Sequence, residues 1–372
     1  MIIDDPFDKP ARVLSLDPGP GRRILVVSDI HGNLPYFRGV LEKAGFCGDD
    51  ILIIDGDFLE KGEDSLGTAR YIMELSEKGN VYTISGNCDD WARFFVRGNA
   101  VRDEYIGGYL RRFRYGIIYE ILQQLGIDPD SINHVDEIKQ QVYDFCPDVW
   151  HFIASLLHAV ETPHFIFTHA SVLPGKPLRE HTAGELFRHD AYLGEDVRNE
   201  KWVVVGHWPV VLYHESIVNA NPIIDREKKI ISIDGGCVLK DDGQLNCLII
   251  PEESSEDFSF VSFDGFPTYR VLDAQKGGGS SYYIRWGDSD VRVLERGAEF
   301  SRCRHVRTGY EMDILTKYLF ADSEITGCND CTDYILPLEA GDIVGLVETT
   351  SRGFFVKHNG ISGWYSGRLE KV

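Results

Sequence analysis

The sequence predicts an α/β fold built on a parallel sheet, followed by a small all-β region. Three observations support this. Short apolar, β-branched runs alternate with helix-length segments in the first half, polar residues typical of ligand sites follow these runs, and turn-rich β-type runs fill the last third. The chain has 372 residues, which exceeds a typical single domain, so at least two domains are expected.

Three strands are predicted near the N-terminus, with a helix between each pair. The strands are Ile24–Ser28, Ile51–Asp55 and Val81–Ser85, which are apolar on both faces, as strands in a covered sheet are. The helices are Leu34–Gly45 and Glu63–Gly79, and each ends at a glycine suited to a C-terminal cap. This βαβαβ order predicts parallel strands joined by right-handed crossovers.

A helical insertion is predicted at about residues 90–160, where it could cap a site on the sheet. Its clearest segment is EYIGGYLRRFRYGIIYEILQQLG. Strand-like runs return afterwards at His164–Thr168, Trp202–Gly206, Lys229–Asp234 and Leu245–Ile250.

The domain boundaries follow from changes in composition. The acidic PEESSED and the Gly277–Ser280 tract break regular structure, and Asn359-Gly360 predicts a hairpin turn. We expect an N-terminal arm over residues 1–20, an α/β domain over 21–255, a linker over 256–280 and a β-rich module over 281–372.

Composition and charge exclude several classes of protein. The formal charge of −21 disfavours general binding to DNA or RNA. The sequence contains no apolar stretch of about 18 residues and no basic leader, so no membrane span and a cytoplasmic location are expected. Eight scattered cysteines are expected to be reduced thiols. Cys303, His305, Cys328 and Cys331 could instead supply four zinc ligands, although thiols packed in a β-rich module are the simpler interpretation.

Polar side chains stand at the carboxyl ends of five predicted strands. In chain order they are Asp29 and His31, Asp57, Asn87, His169, and His207. Singly, such residues are more often helix caps, turn residues or structural histidines. Five successive strand ends indicate one shared ligand crevice, because open α/β sheets bind ligands outside the carboxyl ends of their strands.

The residue types indicate a centre with two metal ions. Two carboxylates, three imidazoles and one carboxamide suit borderline metals such as Mn, Fe or Zn. Asp57 is the best candidate to bridge the ions, with Asp29 and His31 on one ion and Asn87, His169 and His207 on the other. Two ions about 3.5–4 Å apart can bind both the attacking and the leaving oxygen of a phosphoryl displacement.

Five short motifs resemble those of a known family. DIHGN, GDFLEKG, GNCD, THAS and GHWP are similar, in order, to the D-x-H, G-D-x-x-D-R-G, G-N-H-[DE], H and G-H blocks of the calcineurin-like metallophosphoesterases. The likeness covers Arg22 to Ile250 and is closest to the bacterial phosphoprotein-phosphatase and diadenosine-tetraphosphatase branch. It implies a β-sandwich flanked by helices, a di-metal centre at the sheet edge and hydrolysis of phosphate esters by a metal-bound hydroxide. The six strand-end residues match metal-ligand positions.

The resemblance also assigns substrate and catalytic candidates. Lys61 falls where the family often has a phosphate-binding arginine, and Asn33, close to the first ligands, is a weaker candidate for substrate contact. Apart from the resemblance, Arg188 in ELFRHDAYLGE could reach over the site to bind phosphate, although a surface arginine is the commoner case. Glu60 replaces the aspartate that usually orients the catalytic histidine. Cys88 replaces that histidine itself.

Cys88 changes the expected substrate preference. An ordinary thiol has a pKa near 8.5 and an imidazole near 6.5, so the thiol is the poorer proton donor at pH 7. The cysteine therefore favours leaving groups that need little protonation, such as aryl phosphates, phosphoanhydrides or certain diesters. Alternatively, Cys88 is only a small packing residue.

The C-terminal run, LEAGDIVGLVETTSRGFFVKHNGISGWYSGRLE, resembles a bacterial SH3-like domain. Trp364 and Tyr365 could line an aromatic groove for a peptide or cell-wall ligand, or could simply close a small barrel core. The expected function is a phosphoesterase, either a serine/threonine-type protein phosphatase or a hydrolase of dinucleoside polyphosphates or phosphodiesters. The rival interpretation is a catalytically weak, metal-bearing scaffold that acts through the C-terminal module.

Overall fold

The computed structural model describes residues 9–97 and 106–372, which form two compact units. The first unit contains the described residues up to Pro209, together with Pro222–Leu239 and Gln244–Phe263. The second unit contains Val210–Asn221, Lys240–Gly243 and Asp264–Val372. Both units are therefore discontinuous in the chain.

The helices of the described residues lie in the first unit, apart from two short 3₁₀ turns. They are α1 Leu34–Ala44, α2 Ser65–Ser76, α3 Asn87–Arg97, α4 Arg111–Phe113, α5 Ile117–Leu125, α6 Asp136–Phe145, α7 Pro147–Ser155 and α8 Ala183–Phe187. A π-helical turn covers Ile106–Leu110. The 3₁₀ turns are Pro129–Ser131, Leu178–Glu180, Tyr192–Gly194, Val210–Tyr213 and Thr316–Tyr318.

The strands are numbered along the chain. The first unit contains β1 Val13–Ser15, β2 Ile24–Val27, β3 Ile51–Asp55, β4 Val81–Ile84, β5 Ala159–Glu161, β6 Phe165–Phe167, β7 Trp202–Val205, β9 Ile223–Asp225, β10 Ile230–Ser232, β11 Leu245–Ile250 and β12 Ser259–Phe263. The second contains β8 Val218–Asn219, β13 Thr268–Val271, β14 Tyr283–Ile284, β15 Asp290–Glu295, β16 Phe300–His305, β17 Glu311–Leu315, β18 Ile325–Gly327, β19 Cys331–Thr332, β20 Ile343–Thr350, β21 Gly353–His358, β22 Ile361–Tyr365 and β23 Leu369–Lys371.

Two sheets form a sandwich in the first unit. One has the order β12-β11-β2-β3-β4 and the other the order β1-β5-β6-β7-β10-β9. Alternate residues of a strand face opposite sides, so Ile24 and Val26 pack with Phe165 and Phe167 between the sheets. Leu25 and its alternating neighbours pack instead beneath the helices. Burial on both faces explains why these strands are continuously apolar.

The predicted α/β fold is confirmed. Strands β2, β3 and β4 pair in parallel, with α1 and α2 as the crossovers. Helix α1 ends at Gly45, whose φ of 62° is the expected left-handed cap. Helix α2 is shorter than predicted, because the Asp64 side chain caps its N-terminus by accepting a hydrogen bond from the Gly67 amide.

The insertion is helical as predicted, but its clearest segment is not one helix. Arg114 and Gly116 have φ values of 53° and 89°, which interrupt the segment between α4 and α5. An ideal Cβ atom on Gly116 would lie 2.1 Å from Oε2 of Glu60, so this position needs glycine for both its backbone and its space. Glu104 and Tyr105, at the start of the segment, lie outside the described residues.

The domain boundaries differ from those expected. The expected N-terminal arm contains β1, which pairs in parallel with β5. The expected linker, residues 256–280, contains two strands: β12 pairs with β11 in the first unit, and β13 pairs with β20 in the second. Strand pairing between distant segments decides these boundaries, and local composition does not report it.

The second unit is built from antiparallel strands around two small cores. Its largest sheet has the order β23-β13-β20-β21-β22-β8, and a four-stranded sheet has the order β17-β16-β15-β18. Asn359 and Gly360 join β21 to β22 with φ values of 49° and 78°, so the predicted hairpin is confirmed. Within the described parts of the chain, the helices are too short or too polar to span a membrane.

Candidate metal centre

Five loops meet at the carboxyl ends of β2, β3 and β4 in one sheet and of β6 and β7 in the other. Asp29 and His31 follow β2, Asp57 follows β3 and Asn87 follows β4; His169 follows β6 and His207 follows β7. Backbone hydrogen bonds join these loops: the His31 amide donates to the Asp57 carbonyl (2.9 Å) and the Gly206 amide donates to the His169 carbonyl (2.9 Å). The expected convergence of strand ends is therefore present.

Asp57 lies at the middle of this arrangement. Its Oδ2 is 4.0 Å from Nε2 of His31, and its Oδ1 is 3.5 Å from Nε2 of His169. Two groups of potential ligand atoms, each within 4.8 Å, share this residue: one adds His31 and Cys88, the other His169 and His207. Asp29 Oδ1 is 3.8 Å from Nε2 of His31. This geometry suits a carboxylate shared by two cations.

Hydrogen bonds leave one ring nitrogen of each histidine for a ligand. Nδ1 of His169 lies 2.8 Å from the Asp55 carbonyl and Nδ1 of His31 lies 3.3 Å from the Leu59 carbonyl. A carbonyl only accepts, so these Nδ1 atoms carry the protons and the two Nε2 atoms are bare in the neutral rings. Nε2 of His207 is bonded instead to Asp190 (2.9 Å), which leaves Nδ1.

Buried polar atoms without hydrogen-bond partners test whether this set fits a metal. Among the described residues, these atoms include Asp29 Oδ1, His31 Nε2, Asn87 Oδ1 and His169 Nε2. Leaving such atoms unpaired costs about 1–3 kcal/mol each, and a cation bound among them would offset that cost. Oxygen and imidazole donors suit Mn, Fe or Zn. The residues present therefore fit the predicted metal ions.

The charges at this site also favour a bound cation. Burial raises the pKa of Asp29 well above its usual range, and the Asp234 carboxylate raises it further. Burial lowers the pKa of His31 to about 4 despite the neighbouring Asp57, so this ring is neutral at pH 7 and able to ligate. Burial opposes ionisation of Asp57, but the neighbouring His169 outweighs it and lowers the pKa of Asp57. Burial also opposes protonation of His169, yet the Asp57 and Asp29 carboxylates outweigh it and raise the pKa of His169 well above its usual range. A divalent cation would stabilise both carboxylates as anions.

Backbone strain is concentrated in the same loops. Eleven non-glycine residues in the described parts of the chain have positive φ, and six of them belong to the site: Asp29, His31, Asp57, Glu60, Lys61 and His207. Left-handed conformations of such residues each cost on the order of 1 kcal/mol or more and persist where the surrounding structure enforces them. The surrounding structure therefore holds these loops in backbone conformations that are locally unfavourable but bring the side chains of the site together.

Glycines allow the ligand side chains to approach the backbone. An ideal Cβ atom on Gly86 would lie 2.0 Å from Oδ1 of Asp57, and one on Gly206 would lie 2.2 Å from Oδ2 of Asp29. These contacts are too close for any side chain, so both positions require glycine.

We expect Gly86→Ala to reduce metal affinity about 10–100-fold, because the added methyl group must displace the Asp57 carboxylate. Titration of the metal-free protein with Mn²⁺ measures this. Gly48→Ala is the matched control, since the space around Gly48 is open. Equal affinities in the two variants would contradict the inferred position of Asp57 in the centre.

Lys61 lies beside the centre, near Asp57 and Cys88, and its binding of phosphate stays a prediction. Burial lowers its pKa, but Cys88, Tyr115, Glu60 and Asp57 outweigh this and raise it, so the ammonium stays charged. Its Nζ is 5.8 Å from the ring centroids of both Tyr109 and Tyr115. These rings hold the ammonium by cation–π attraction.

The weaker substrate candidates have structural roles. The Asn33 side chain caps α1 by accepting a hydrogen bond from the Tyr36 amide (3.2 Å). Arg188 is exposed at the C-terminus of α8, where its amide donates to the Gly184 carbonyl. Substrate contact by either residue stays a prediction.

Cys88 is half-buried beside Asp57. Its amide donates to Oδ1 of Asp57 (2.8 Å), and its sulfur lies within 4.8 Å of ligand atoms of His31 and Asp57. Burial raises the pKa of the thiol well above its usual range and the Asp57 charge adds to this, although Lys61 opposes it. The thiol is therefore protonated at pH 7 and is a weaker acid than an ordinary cysteine.

The side chain of Glu60 contacts the insertion, and its expected role in orienting the residue at position 88 stays a prediction. Its carboxylate accepts hydrogen bonds from the Tyr109 hydroxyl (2.9 Å) and the Ile117 amide (3.3 Å). Glu120 of α5 makes the reciprocal connection by accepting from the Ser65 and Leu66 amides (2.7 and 2.8 Å). These bonds give Glu60 a positioning role that ties the loop carrying Lys61 to the insertion.

The Glu60 contacts predict a pH-dependent stability. Burial raises the pKa of Glu60 to about 7; the Tyr109 and Ile117 bonds and the Lys61 charge oppose this, while Glu120 adds to it. The folded chain therefore holds a proton that the unfolded chain releases near pH 4.5, so stability is full below that pH and falls as the pH rises through 7.

We expect the free energy of unfolding of the wild type to fall between pH 5 and pH 8. In Glu60→Gln this fall should be smaller by about 2–3 kcal/mol. Denaturant unfolding of the wild type and the variant at several pH values measures this difference. Glu63→Gln, on an exposed neighbour, should leave the pH slope unchanged. A wild-type slope in Glu60→Gln would show that other groups cause the dependence.

Three supporting aspartates were not among the predicted site residues. Asp89 is fully buried and accepts hydrogen bonds from the Leu59 and Gly86 amides (3.0 and 2.9 Å), which joins two of the loops. Asp190 orients His207, and Asp55 is buried below His169. Asp89 directly follows Cys88 in the third motif, so the motif itself could have identified Asp89 from the sequence. Only the fold brings Asp190 to His207.

The proposed zinc ligands do not form a site among the described residues. Cys328 and Cys331 have sulfur atoms 3.9 Å apart, and both pack near Cys303 in a hydrophobic core. His305 is bonded through Nδ1 to Thr308 (2.8 Å) and through Nε2 to the Asp288 carbonyl (3.0 Å), so neither nitrogen is available. The structure therefore favours thiols packed in a β-rich unit.

The aromatic pair of the C-terminal unit closes a core. Tyr365 is 1 % exposed, and its hydroxyl donates to the Asp273 carbonyl (2.8 Å). The indole Nε1 of Trp364 donates to the Thr332 carbonyl (2.7 Å), and its ring packs against Phe355. These contacts favour the core alternative over an open ligand groove.

The two-sheet α/β sandwich, with metal-ligand groups at the strand ends, is that of a metallophosphoesterase. The chain belongs to the calcineurin-like phosphoesterase family, whose sequence profile matches residues 22–211. It is accordingly a metal-dependent phosphoesterase, from a family that acts on phosphorylated substrates.

Curated relatives include two bacterial enzymes. The chain is 24% identical over 235 residues to the asymmetrical bis(5'-nucleosyl)-tetraphosphatase PrpE of Oceanobacillus iheyensis, covering 58% of this chain and 84% of that protein. It is 25% identical over 267 residues to the protein of the same name from Bacillus velezensis, covering 62% and 90%.

Solved structures with a similar fold include two phosphoesterases. A serine/threonine phosphatase from Saccharomyces cerevisiae is 11% identical with a TM-score of 0.43, covering 70% of this chain and 85% of that one. A metallophosphoesterase from Sphaerobacter thermophilus is 18% identical with a TM-score of 0.38, covering 66% and 89%.

Proposed function

We propose that this chain hydrolyses phosphoanhydrides and phosphate esters with stable leaving groups, dinucleoside polyphosphates foremost. The observation that carries the proposal is the pair of ligand groups that share Asp57, with Lys61 and a protonated Cys88 thiol beside them. The names of the curated relatives, bis(5'-nucleosyl)-tetraphosphatases, support the same substrate class.

Different residues of the chain have different roles in the proposed reaction. Asp29, His31, Asp57, Asn87, His169 and His207 would hold two metal ions. When bound, such ions polarise a phosphoryl group and lower the pKa of a water molecule. Lys61 contributes a single positive charge for phosphate oxygens, held in place by two tyrosine rings. An ammonium lacks the bidentate fork of a guanidinium, so it attracts phosphate without fixing its orientation.

The leaving group is the part of the substrate that the site selects. By the family resemblance, the side chain at position 88 faces the leaving oxygen, and here it is a thiol whose pKa is raised by burial. An alkoxide leaving from a serine or threonine ester needs a proton, whereas a nucleotide or aryl oxide does not. Serine/threonine protein phosphatase activity is therefore only the second candidate, because its alkoxide leaving group needs a proton that this thiol donates poorly.

The second unit has a separate proposed role. We propose that it is an SH3-like accessory module, supported by its antiparallel sheets and by the Asn359-Gly360 hairpin that leads into Trp364. A peptide or cell-wall ligand for it stays a proposal, because Trp364 and Tyr365 are engaged in core contacts.

The test combines metal analysis with a substrate panel. The purified chain is assayed with Mn²⁺ on a dinucleoside tetraphosphate, an aryl phosphate monoester and diester, and a phosphoserine peptide, with chelated protein as the control. We expect the first three to be turned over and the peptide to be slower by about 10²–10⁴-fold. Bound metal without turnover of any substrate would instead support the scaffold alternative.

A further inference from the structure

Four aromatic side chains form a continuous surface beside the centre. Trp91, Tyr109, Phe113 and Tyr115, here called the aromatic wall, contact one another with ring centroids 5.4–5.7 Å apart. Trp91 and Tyr109 are stacked, with an angle of 28° between their planes. The other pairs are tilted or edge-to-face.

Lys61 connects the aromatic wall to the metal centre. Its Nζ is 5.8 Å from the ring centroids of Tyr109 and Tyr115. Lys61 lies in the loop that follows β3 and carries Asp57, and the next residue, Gly62, packs so closely on His31 that an ideal Cβ atom there would lie 2.0 Å from the His31 carbonyl oxygen. A phosphate held at Lys61 would therefore lie beside the aromatic wall.

The aromatic wall remains accessible and is held in a fixed position. Phe113 is 41 % exposed, and the other three side chains are half-buried, so part of this aromatic surface is open to a ligand. The Tyr109 hydroxyl donates to Glu60, which fixes this ring relative to the loop that carries Lys61. Rigid, partly exposed aromatic rings beside a cation are suited to stacking with a planar ligand.

We propose that the aromatic wall binds a planar aromatic group in the leaving portion of the substrate. This rests on the proposed phosphoesterase function and names which of its substrates are preferred. The aromatic wall selects substrates that carry a ring beside the phosphate. Nucleoside polyphosphates and aryl phosphates both do, so a nucleobase and a simple aryl ring are the two sources of the ligand.

Two matched pairs of ligands separate the aromatic contribution from phosphate binding. Phenylphosphonate and methylphosphonate differ in a phenyl ring, and neither can be hydrolysed; AMP and ribose 5-phosphate differ in the base. Calorimetry with the Mn²⁺-loaded protein gives affinities for the first pair, and inhibition constants serve for the second. We expect the ring-bearing member of at least one pair to bind about ten-fold more tightly, as stacking of one base allows. The pair that discriminates identifies the source.

Variants of the aromatic wall locate the effect. Phe113→Leu and Tyr115→Leu should abolish the discrimination, while Tyr109→Phe, which keeps the ring, should retain it. Phe260→Leu is the matched control, because Phe260 is 38 % exposed on β12, at the opposite edge of the sheet from β4. Circular dichroism confirms that each variant is folded.

The outcomes for the aromatic wall and for catalysis are distinguishable. Inorganic tripolyphosphate is an anhydride without a ring, so its hydrolysis tests the phosphoesterase alone. Turnover of tripolyphosphate with no discrimination in either ligand pair would overturn the aromatic wall and leave the proposed function standing. Discrimination within a ligand pair without turnover of any substrate would support ring binding by the aromatic wall and contradict the proposed phosphoesterase function. If Phe260→Leu lost the discrimination as fully as Phe113→Leu and Tyr115→Leu do, the assignment of ring binding to the aromatic wall would also be overturned.

Discussion

Replacing Asp57 by asparagine is expected to abolish turnover, with a fall in kcat of at least about 10³-fold. Asp57 is the residue shared by both groups of potential ligand atoms, and it lies 3.5 Å from His169 and 4.0 Å from His31. The amide removes one negative charge and leaves one oxygen in place of two, so it cannot bridge two cations. The loss of about 4 kcal/mol of transition-state stabilisation corresponds to this change in rate.

Metal content distinguishes this explanation from simple misfolding. We expect Asp57→Asn to bind one metal ion or fewer per chain in elemental analysis, with an unchanged circular dichroism spectrum. Asp49→Asn, on an exposed aspartate of the same unit, is the matched control and should behave as the wild type. A fully loaded Asp57→Asn variant with wild-type kcat would refute the central position of this carboxylate.

Replacing Cys88 by histidine is expected to raise the hydrolysis of alkyl phosphates selectively. Burial and the Asp57 charge raise the pKa of the thiol, so the present side chain donates a proton poorly. An imidazole at this position has a pKa closer to neutrality, and general-acid help is typically worth 10²–10⁴-fold for poor leaving groups. We expect the ratio of alkyl to aryl phosphate turnover to rise by about 10²-fold.

A second substitution separates the alternatives for Cys88. Cys88→Ala should leave the alkyl-to-aryl ratio unchanged if the thiol only fills space, and should lower it if the thiol donates a proton. Because the sulfur lies within 4.8 Å of ligand atoms of His31 and Asp57, metal content is measured in the same variant. If Cys88→His binds metal normally and its alkyl rate does not rise relative to the aryl rate, the missing-acid explanation is wrong.

Local sequence was sufficient to predict the core of the first unit. Ile51–Asp55 is a strand with the predicted bounds, and Leu34–Ala44 is a helix that ends at the predicted Gly45 cap. These elements depend on residues close together in the chain: apolar runs for burial on both faces, and a glycine for a left-handed cap. The candidate ligands were predictable for the same reason, since each follows its own strand and strand ends share one edge.

The domain boundaries were less predictable because they depend on pairing between distant segments. Strands β1 and β12 lie in stretches that composition marked as an arm and a linker, yet each is hydrogen-bonded to a sheet of the first unit. Strand β8 lies within the predicted first domain but pairs with β22 of the second unit. Short strands of this kind leave little local pattern.

By itself, the sequence determined the α/β class, the order of the central strands and the six residues offered as metal ligands. Only the tertiary structure decided the partners of Glu60, the support of His207 by Asp190 and the assembly of the aromatic wall beside Lys61. Periodicity and motif spacing report which residues share an element, whereas these contacts join residues 17 to 57 positions apart. The Glu60 contacts and the aromatic wall exist only after the insertion has folded against the strand-end loops, and the Asp190–His207 contact exists only after two separate loops of the first unit have met.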